Sequence, residues 1–308
     1  MLRFSSVFLL SLLAVVGCAQ KNNDKKDNQE VVNSLLWKIE GNGLEKPSYL
    51  FGTIHMICKE DAYISNNLMK AIENADRVYL ELDMDNLFEM LGLVTKMKMN
   101  NDTTLADLLT PDEYKRIKKH FEENESLLPF SVVETYKPLV ASSLLMESSM
   151  VCDAQVAMEQ LIMEEAKKKG KRIEGLETMA YQMGLFDSIP YKVQAKELYK
   201  SISAGTDEKG DNKELKDMMK AYKEQDLDKL ADMISKSDDG MLEYEDILLN
   251  NRNKNWVEKL KTLLKEKSLV IAVGAGHLPG EKGVINLLRK EGYKVTPVEN
   301  KSTKIREI

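Results

Sequence analysis

Residues 269–277 read Leu-Val-Ile-Ala-Val-Gly-Ala-Gly-His, and this stretch decides the fold. Its apolar run is a strand, and the glycines mark where the strand stops. Glu281–Glu291 predicts a helix closed by Gly292, and Tyr293–Val298 returns as a strand, which makes a βαβ-like unit. Toward the other end, Leu35–Ile39, Tyr49–Ile54 and Arg77–Leu82 read as strands. The first two form a hairpin across Gly41, Asn42, Gly43 and Pro47, and Asn66–Ala75 is a helix before the third. Between the ends the pattern turns helical: Asn86–Met99, a helix from the Thr110 cap to about Asn124, Pro138–Ser149, Ala154–Lys169, Pro190–Ser201, Asp211–Gln225 and Leu227–Ser235. Glu243–Lys265 is the longest, and Lys171–Ile173 is a short strand candidate. The expected fold is α/β: a mixed sheet core built from both ends of the chain, with a large helical middle packed on it.

Composition narrows the class. The 308 residues carry 44 Lys+Arg against 50 Asp+Glu, a formal charge of −6, so no basic field favours nucleic acid as a partner. The chain is 43% hydrophobic, enough for a core. Three cysteines exclude a disulfide-dense scaffold.

The first residues form an address. Met1-Leu2-Arg3 precedes an apolar run from Phe4 to Val16 that ends Val15-Val16-Gly17-Cys18. This resembles a bacterial lipobox; the plainer alternative is an ordinary secretory signal. The expected organisation is a lipoprotein signal peptide over 1–17, a flexible polar tether over 18–30 and a single α/β domain over 31–308. Lipid on Cys18 would anchor the protein in the bacterial cell envelope. Cys58 and Cys152 then remain, as one disulfide or two buried thiols.

The chemistry gathers on three strands. Phe51-Gly52-Thr53-Ile54-His55 and Val273-Gly274-Ala275-Gly276-His277 each place a histidine after a strand, with glycine three positions earlier. Glycine permits close backbone approach or unusual dihedrals, and a histidine past a strand's C-terminal end faces the crevice where α/β folds bind ligands. If the two strands are neighbours, His55 and His277 meet as ligands for a divalent ion such as Mn, Co or Zn; the bland reading has each imidazole fixing a turn. Glu81 projects from the apolar strand Val78–Leu82 and needs a partner, a proton or a metal. It is a candidate metal ligand or general base, or one half of a pair with Arg or Lys. Asp83 reads as a loop or cap residue, His120 as part of a solvated helix face. A nucleophilic Cys58–His55 pair is a further possibility by spacing. The 17 methionines are core filler, or a pliable apolar groove for a peptide.

The two G-x-x-H motifs resemble those of the TraB/GumN family, which is similar to the Tiki metalloproteases and lies in a wider superfamily with erythromycin esterases and haem-binding ChaN-like proteins. The Glu81 strand, Asp153, Gly175-Leu176-Glu177-Thr178 with Gln182, and Arg252-Asn253 before Trp256 fit the same pattern, which covers about Leu35 to Val298. The resemblance implies metal-dependent peptide hydrolysis. It places Gly52, Gly274, Gly276 and Glu177 beside the bound group, and gives Arg252 a role in orienting an anion or carbonyl. The alternative is a protein that sequesters a peptide signal or haem without chemistry.

Overall fold

The computed structural model describes residues 33–302 except 87–91, 94, 124–127, 149, 151, 205–212 and 237–240. The expected signal peptide, Cys18 and the tether therefore lie outside the described residues. Six strands form one sheet: β1 (Leu36–Glu40), β2 (Ser48–Thr53), β4 (Arg77–Leu82), β6 (Arg172–Glu177), β7 (Leu269–Gly274) and β8 (Lys294–Val298), in the order β6-β4-β7-β2-β1-β8. A second, two-stranded ribbon pairs β3 (Ile57–Cys58) with β5 (Gln155–Val156).

Every strand of the large sheet runs parallel to its neighbour except β1, which is antiparallel to both β2 and β8. The hairpin and the strand–helix–strand unit form as the sequence predicts. The two strands of that unit are not neighbours, however, because β2 and β1 lie between β7 and β8. Strand β7 occupies a central position, and Leu269, Val270, Ile271, Ala272 and Val273 are all at most 1% exposed. Because successive side chains point to opposite faces, both faces of the sheet are covered. The covering helices are α1 (Asn66–Asn74), α4 (Met158–Lys168), α9 (Asn251–Glu266) and α10 (Val284–Lys290), which bury Leu68, Ile72, Ile162, Trp256, Leu260 and Leu288 in the sheet's core.

The helical middle keeps a core of its own. Helices α2 (Pro111–Glu123), α3 (Pro138–Ser148) and α6 (Tyr191–Ala204) pack Ile117, Phe121, Ala141, Leu198 and Ile202 together. The start of α2 is the capping box the sequence predicts: Thr110 N–H donates to Glu113 Oε2 at 2.9 Å, and Glu113 N–H to Thr110 Oγ1 at 3.4 Å. Three more helices matter to the site: α5 (Met179–Asp187), α7 (Lys213–Lys223) and α8 (Leu227–Lys236). Among the described residues no helix is long and apolar enough to cross a membrane.

Three expectations need correction. The helix predicted from Ala154 starts at Met158, because Gln155 and Val156 are taken by the ribbon with β3. The short strand at Lys171–Ile173 extends through Glu177, because the whole segment pairs with β4 at the sheet edge. The helix predicted over Glu243–Lys265 is continuous but not α throughout: a 3-10 turn (Leu242–Tyr244) and a π turn (Asp246–Asn250) lead into α9.

Cys58 and Cys152 form a disulfide with Cα atoms 5.9 Å apart, joining the end of β3 to the segment before β5 across 94 residues of sequence. A Cys58–His55 nucleophile is thereby excluded, since the thiolate it requires is consumed. Replacing both cysteines by alanine is expected to lower stability by about 2–4 kcal/mol, read as a shift in urea midpoint against wild type. The untreated wild-type chain should carry one disulfide by mass.

Candidate active site

Register sets the site. Thr53 pairs with Gly274, Leu80 with Ala272 and Leu82 with Glu177, so β2, β7, β4 and β6 finish at one level with their C-terminal ends on the same edge. His55 comes just after β2, and His277 closes a 3-10 turn (Ala275–His277) directly after β7. The two histidine strands are adjacent and parallel, as the paired motifs require.

The motif glycines serve close approach. A Cβ on Gly52 would stand 3.2 Å from Ala275 Cα, and one on Gly274 would stand 3.2 Å from Glu81 Oε1. Neither residue has a positive φ, so conformational freedom is not what these positions use.

Glu81 is 7% exposed, and its charge is satisfied from several sides. Oε1 accepts from Gly274 N–H at 2.7 Å, and Oε2 accepts from Arg252 Nη2 at 2.5 Å and from Gln182 Nε2 at 3.4 Å. Burial opposes ionisation, but His277, Arg252 and the Gly274 amide together hold the carboxyl below its ordinary range. Arg252, 6% exposed on α9, also donates through Nε (3.0 Å) and Nη2 (2.7 Å) to Glu177 Oε1, and through Nη1 to Leu248 O at 2.9 Å. Its guanidinium carbon lies 4.7 Å from the centre of the Trp256 ring, whose Nε1–H donates to Glu177 Oε2 at 3.0 Å. Burial pushes the Glu177 carboxyl up, against the pull of Arg252. The π turn places the Leu248 carbonyl where Arg252 reaches it, an irregularity of a kind frequent at functional sites.

The two histidines sit in opposite surroundings. His277 is 5% exposed; its Nδ1 lies 2.6 Å from Asn253 Oδ1 and its Nε2 3.1 Å from Arg252 Nη1. Asn253 Nδ2 donates to Lys282 O at 3.0 Å, which fixes the amide orientation and leaves Oδ1 as acceptor. His277 therefore carries its proton on Nδ1 and a lone pair on Nε2. Burial and the neighbouring Arg252 lower its pKa to about 4. His55 has 75% of its side chain exposed, and its Nδ1 lies 2.8 Å from Glu159 Oε1. Hydrogen bonding to Glu159 raises its pKa to about 9, yet solvent screening keeps the pair worth little to stability.

The donor chemistry fits a divalent ion: a neutral imidazole with its second nitrogen tied to a carbonyl, and an ionised carboxylate. The assembled geometry is different. Among the described residues no group of three or more His, Cys, Asp or Glu side chains stands close enough to hold a metal, and His277 Nε2 lies 3.9 Å from Glu81 Oε1. Arg252 is the cation facing both. The pairing of Glu81 with a basic side chain, one of the sequence alternatives, is the arrangement present in the structure.

Other candidates fall away from the site. Asp83 closes a turn, accepting from Asp85 N–H at 3.1 Å. Glu174 accepts from Tyr79 Oη at 2.5 Å and pairs with Arg77. Thr178 itself caps α5, so Glu177 is free for Arg252. His120 stands edge-on to Phe121 on α2. Glu159 carries no sequence signal, because one acid in the run Met-Glu-Gln-Leu-Ile-Met-Glu-Glu looks like the others.

A cavity of about 500 Å³ opens beside His55, Gly274 and Gly276. Met56, Met150, Met218, Met219, Met233 and Met241 line it, with leucines, isoleucines and Tyr222. The methionine groove allowed by composition thus lies next to the histidine motifs.

The pattern of the TraB/PrgY/gumN family matches residues 35–297, and the chain belongs to that family. It is 24% identical over 322 residues to Metalloprotease TIKI2 of Danio rerio, covering 88% of this chain and 62% of that protein. To Metalloprotease TIKI1 of Homo sapiens it is 26% identical over 356 residues, covering 94% and 68%. The chain thus spans less than two thirds of the first of these relatives. No solved structure matches it.

The metal-free protein should show two effects in urea melts. His277 binds a proton near its ordinary 6.5 when unfolded but only near 4 when folded, so between these values the folded state holds fewer protons. Its contribution is complete above pH 6.5 and is lost as pH falls toward 4, by on the order of 3 kcal/mol. Melts at pH 7 and 4.5 should therefore differ by less in His277→Gln than in wild type. Arg252→Met leaves two buried carboxylates without their cation and should cost about 3–5 kcal/mol in the same melts at pH 7.

Proposed function

We propose that this TraB/PrgY/gumN-family protein is a metal-dependent hydrolase that cleaves peptide bonds, held in the bacterial cell envelope by lipid on Cys18. The observation that carries the reading is the meeting of Glu81, Arg252 and His277 at the strand ends, beside an apolar cavity that His55 also lines. The relatives' name supports it: they are metalloproteases. Location rests on the lipobox-like Val15–Cys18 and is supported by the disulfide, which persists in oxidising compartments.

His55, His277 and Glu81 would hold the ion, Mn, Co or Zn, or Glu81 would serve as base beside the two histidines. A bound divalent ion supplies an acidified water and a polarised carbonyl. Asn253 keeps His277 in the form whose Nε2 lone pair is available. Arg252, held by Glu177 and Trp256 independently of Glu81, supplies fixed positive charge for an oxygen that becomes negative. The methionine-lined cavity seats the peptide's apolar side chains and keeps water off them.

The cavity also favours a second reading, a protein that binds a peptide signal without turnover, and Arg252 facing both candidate ligands is consistent with it. One set of preparations separates the two. The full chain should hydrolyse peptides with Mn, Co or Zn and lose activity on chelation, reversibly. His55→Ala should lose bound metal and turnover while keeping its melting transition, and His277→Ala should lose both while melting earlier but still cooperatively. Glu81→Gln should keep metal and lose ~10²–10⁴-fold in rate if Glu81 is the base, or lose metal as well if it is a ligand. Full turnover by both histidine variants would sink the metallohydrolase; peptide binding without turnover at any metal would establish the second reading. Cys18→Ser should move the protein out of the membrane fraction.

A further inference from the structure

We propose that Glu159 is the positioning residue of His55: it fixes the ring so that Nε2 is the nitrogen presented at the cavity mouth, as Asn253 does for His277. The inference rests on the working role given to His55 under the proposed function and adds a residue that no motif contains.

Glu159 lies in the first turn of α4, with its side chain 9% exposed. Oε1 accepts two hydrogen bonds, from Thr53 Oγ1 at 2.6 Å and from His55 Nδ1 at 2.8 Å. Oε2 is buried and has no hydrogen-bond partner among the described residues. The nearby Tyr222 hydroxyl does not serve it, donating instead to Gly52 O at 3.1 Å. A carboxylate buried with one oxygen unsatisfied costs stability, and such exceptions call for a functional reason. The reason here is geometric. An acceptor on Nδ1 keeps the proton there, so that Nε2 is the nitrogen that gives up its proton to a metal ion.

The surrounding chain makes the contact rigid. Residues 54–59 and 152–158 are joined on both sides of His55. Met158 N–H donates to Ile54 O at 3.2 Å, Lys59 N–H donates to Ala154 O at 2.9 Å, Ile57 pairs with Val156, and Cys58 is bonded to Cys152. Thr53, the other donor to Glu159, is in register with Gly274 at the start of the His277 turn. The carboxylate is therefore fixed relative to both motifs, while the imidazole it holds is three quarters exposed and depends on that contact for its orientation.

The test uses the full chain with Mn²⁺, Co²⁺ or Zn²⁺ alone, titrated by calorimetry, and metal-free protein observed by NMR. Glu159→Ala should weaken metal binding by about 10–100-fold, and Glu159→Gln by less, since its carbonyl still accepts from Nδ1. In metal-free protein the His55 ring resonances, identified by their loss in His55→Ala, should move in Glu159→Ala while those of His277 stay. Should Glu159→Ala fail to fold, Glu159→Gln, which conserves volume, carries the same comparisons. Unmoved His55 resonances, or metal affinity in Glu159→Ala equal to that of wild type, would overturn the proposal. If wild type binds none of the three ions, the metal reading of function falls, and the resonances alone decide whether Glu159 positions His55.

Discussion

A carboxylate in the middle of an apolar strand is the constraint on which this site depends. Glu81 sits on β4 between Leu80 and Leu82, beside β7, which is buried from Leu269 to Val273. Left unpaired there, an ionised carboxylate would be prohibitively costly. The chain meets the cost with a backbone amide from Gly274 and a guanidinium from Arg252. The first demands that β7 end at glycine, because a Cβ at that position would crowd Oε1. The second demands an arginine from α9 and a second acid, Glu177, to hold its far side. Gly274, Arg252 and Glu177 thus all answer one buried charge.

The two histidines share a motif and differ in nearly everything else. A neutral amide oxygen holds Nδ1 of His277 inside the core, where burial keeps the ring uncharged. An ionised carboxylate holds Nδ1 of His55 at the surface, where the ring gains a proton. One ring is thus neutral in a dry place, the other protonated at a wet one.

Much of this is legible in the sequence, for physical reasons that can be named. The apolar run at 269–273, the two glycine-spaced histidines and the Thr110 capping box are local signals, and each survives intact. The hairpin is legible for the same reason. Strand β6 reads short because its second half, Glu-Gly-Leu-Glu, has no strand-like alternation; pairing with β4 supplies the support that propensity lacks. The ribbon of β3 with β5 escapes a sequence reading since its pairs lie about a hundred residues apart and each strand is two residues long. The unbroken pattern at Glu243–Lys265 conceals a π turn, which keeps nearly helical spacing while shifting the phase of the helix after it. Glu159 is invisible because its role comes from a tertiary contact with Thr53 and His55, not from its neighbours.

Arg252 links the fold to the choice between catalysis and simple binding. Its hydrogen bonds divide into two sets: Nε and Nη2 to Glu177, with Trp256 across the ring face, and the Nη groups to Glu81, His277 and Leu248. The first set suffices to hold the guanidinium on α9 and β6. The second set engages the same atoms that an ion would use, Glu81 Oε2 and His277 Nε2. An ion held by Glu81 and His277, as proposed, would have to compete with a charge already in place, and Arg252 would have to yield those contacts. Glu177 is the acid whose burial weakens its own ionisation, and Arg252 is its principal support.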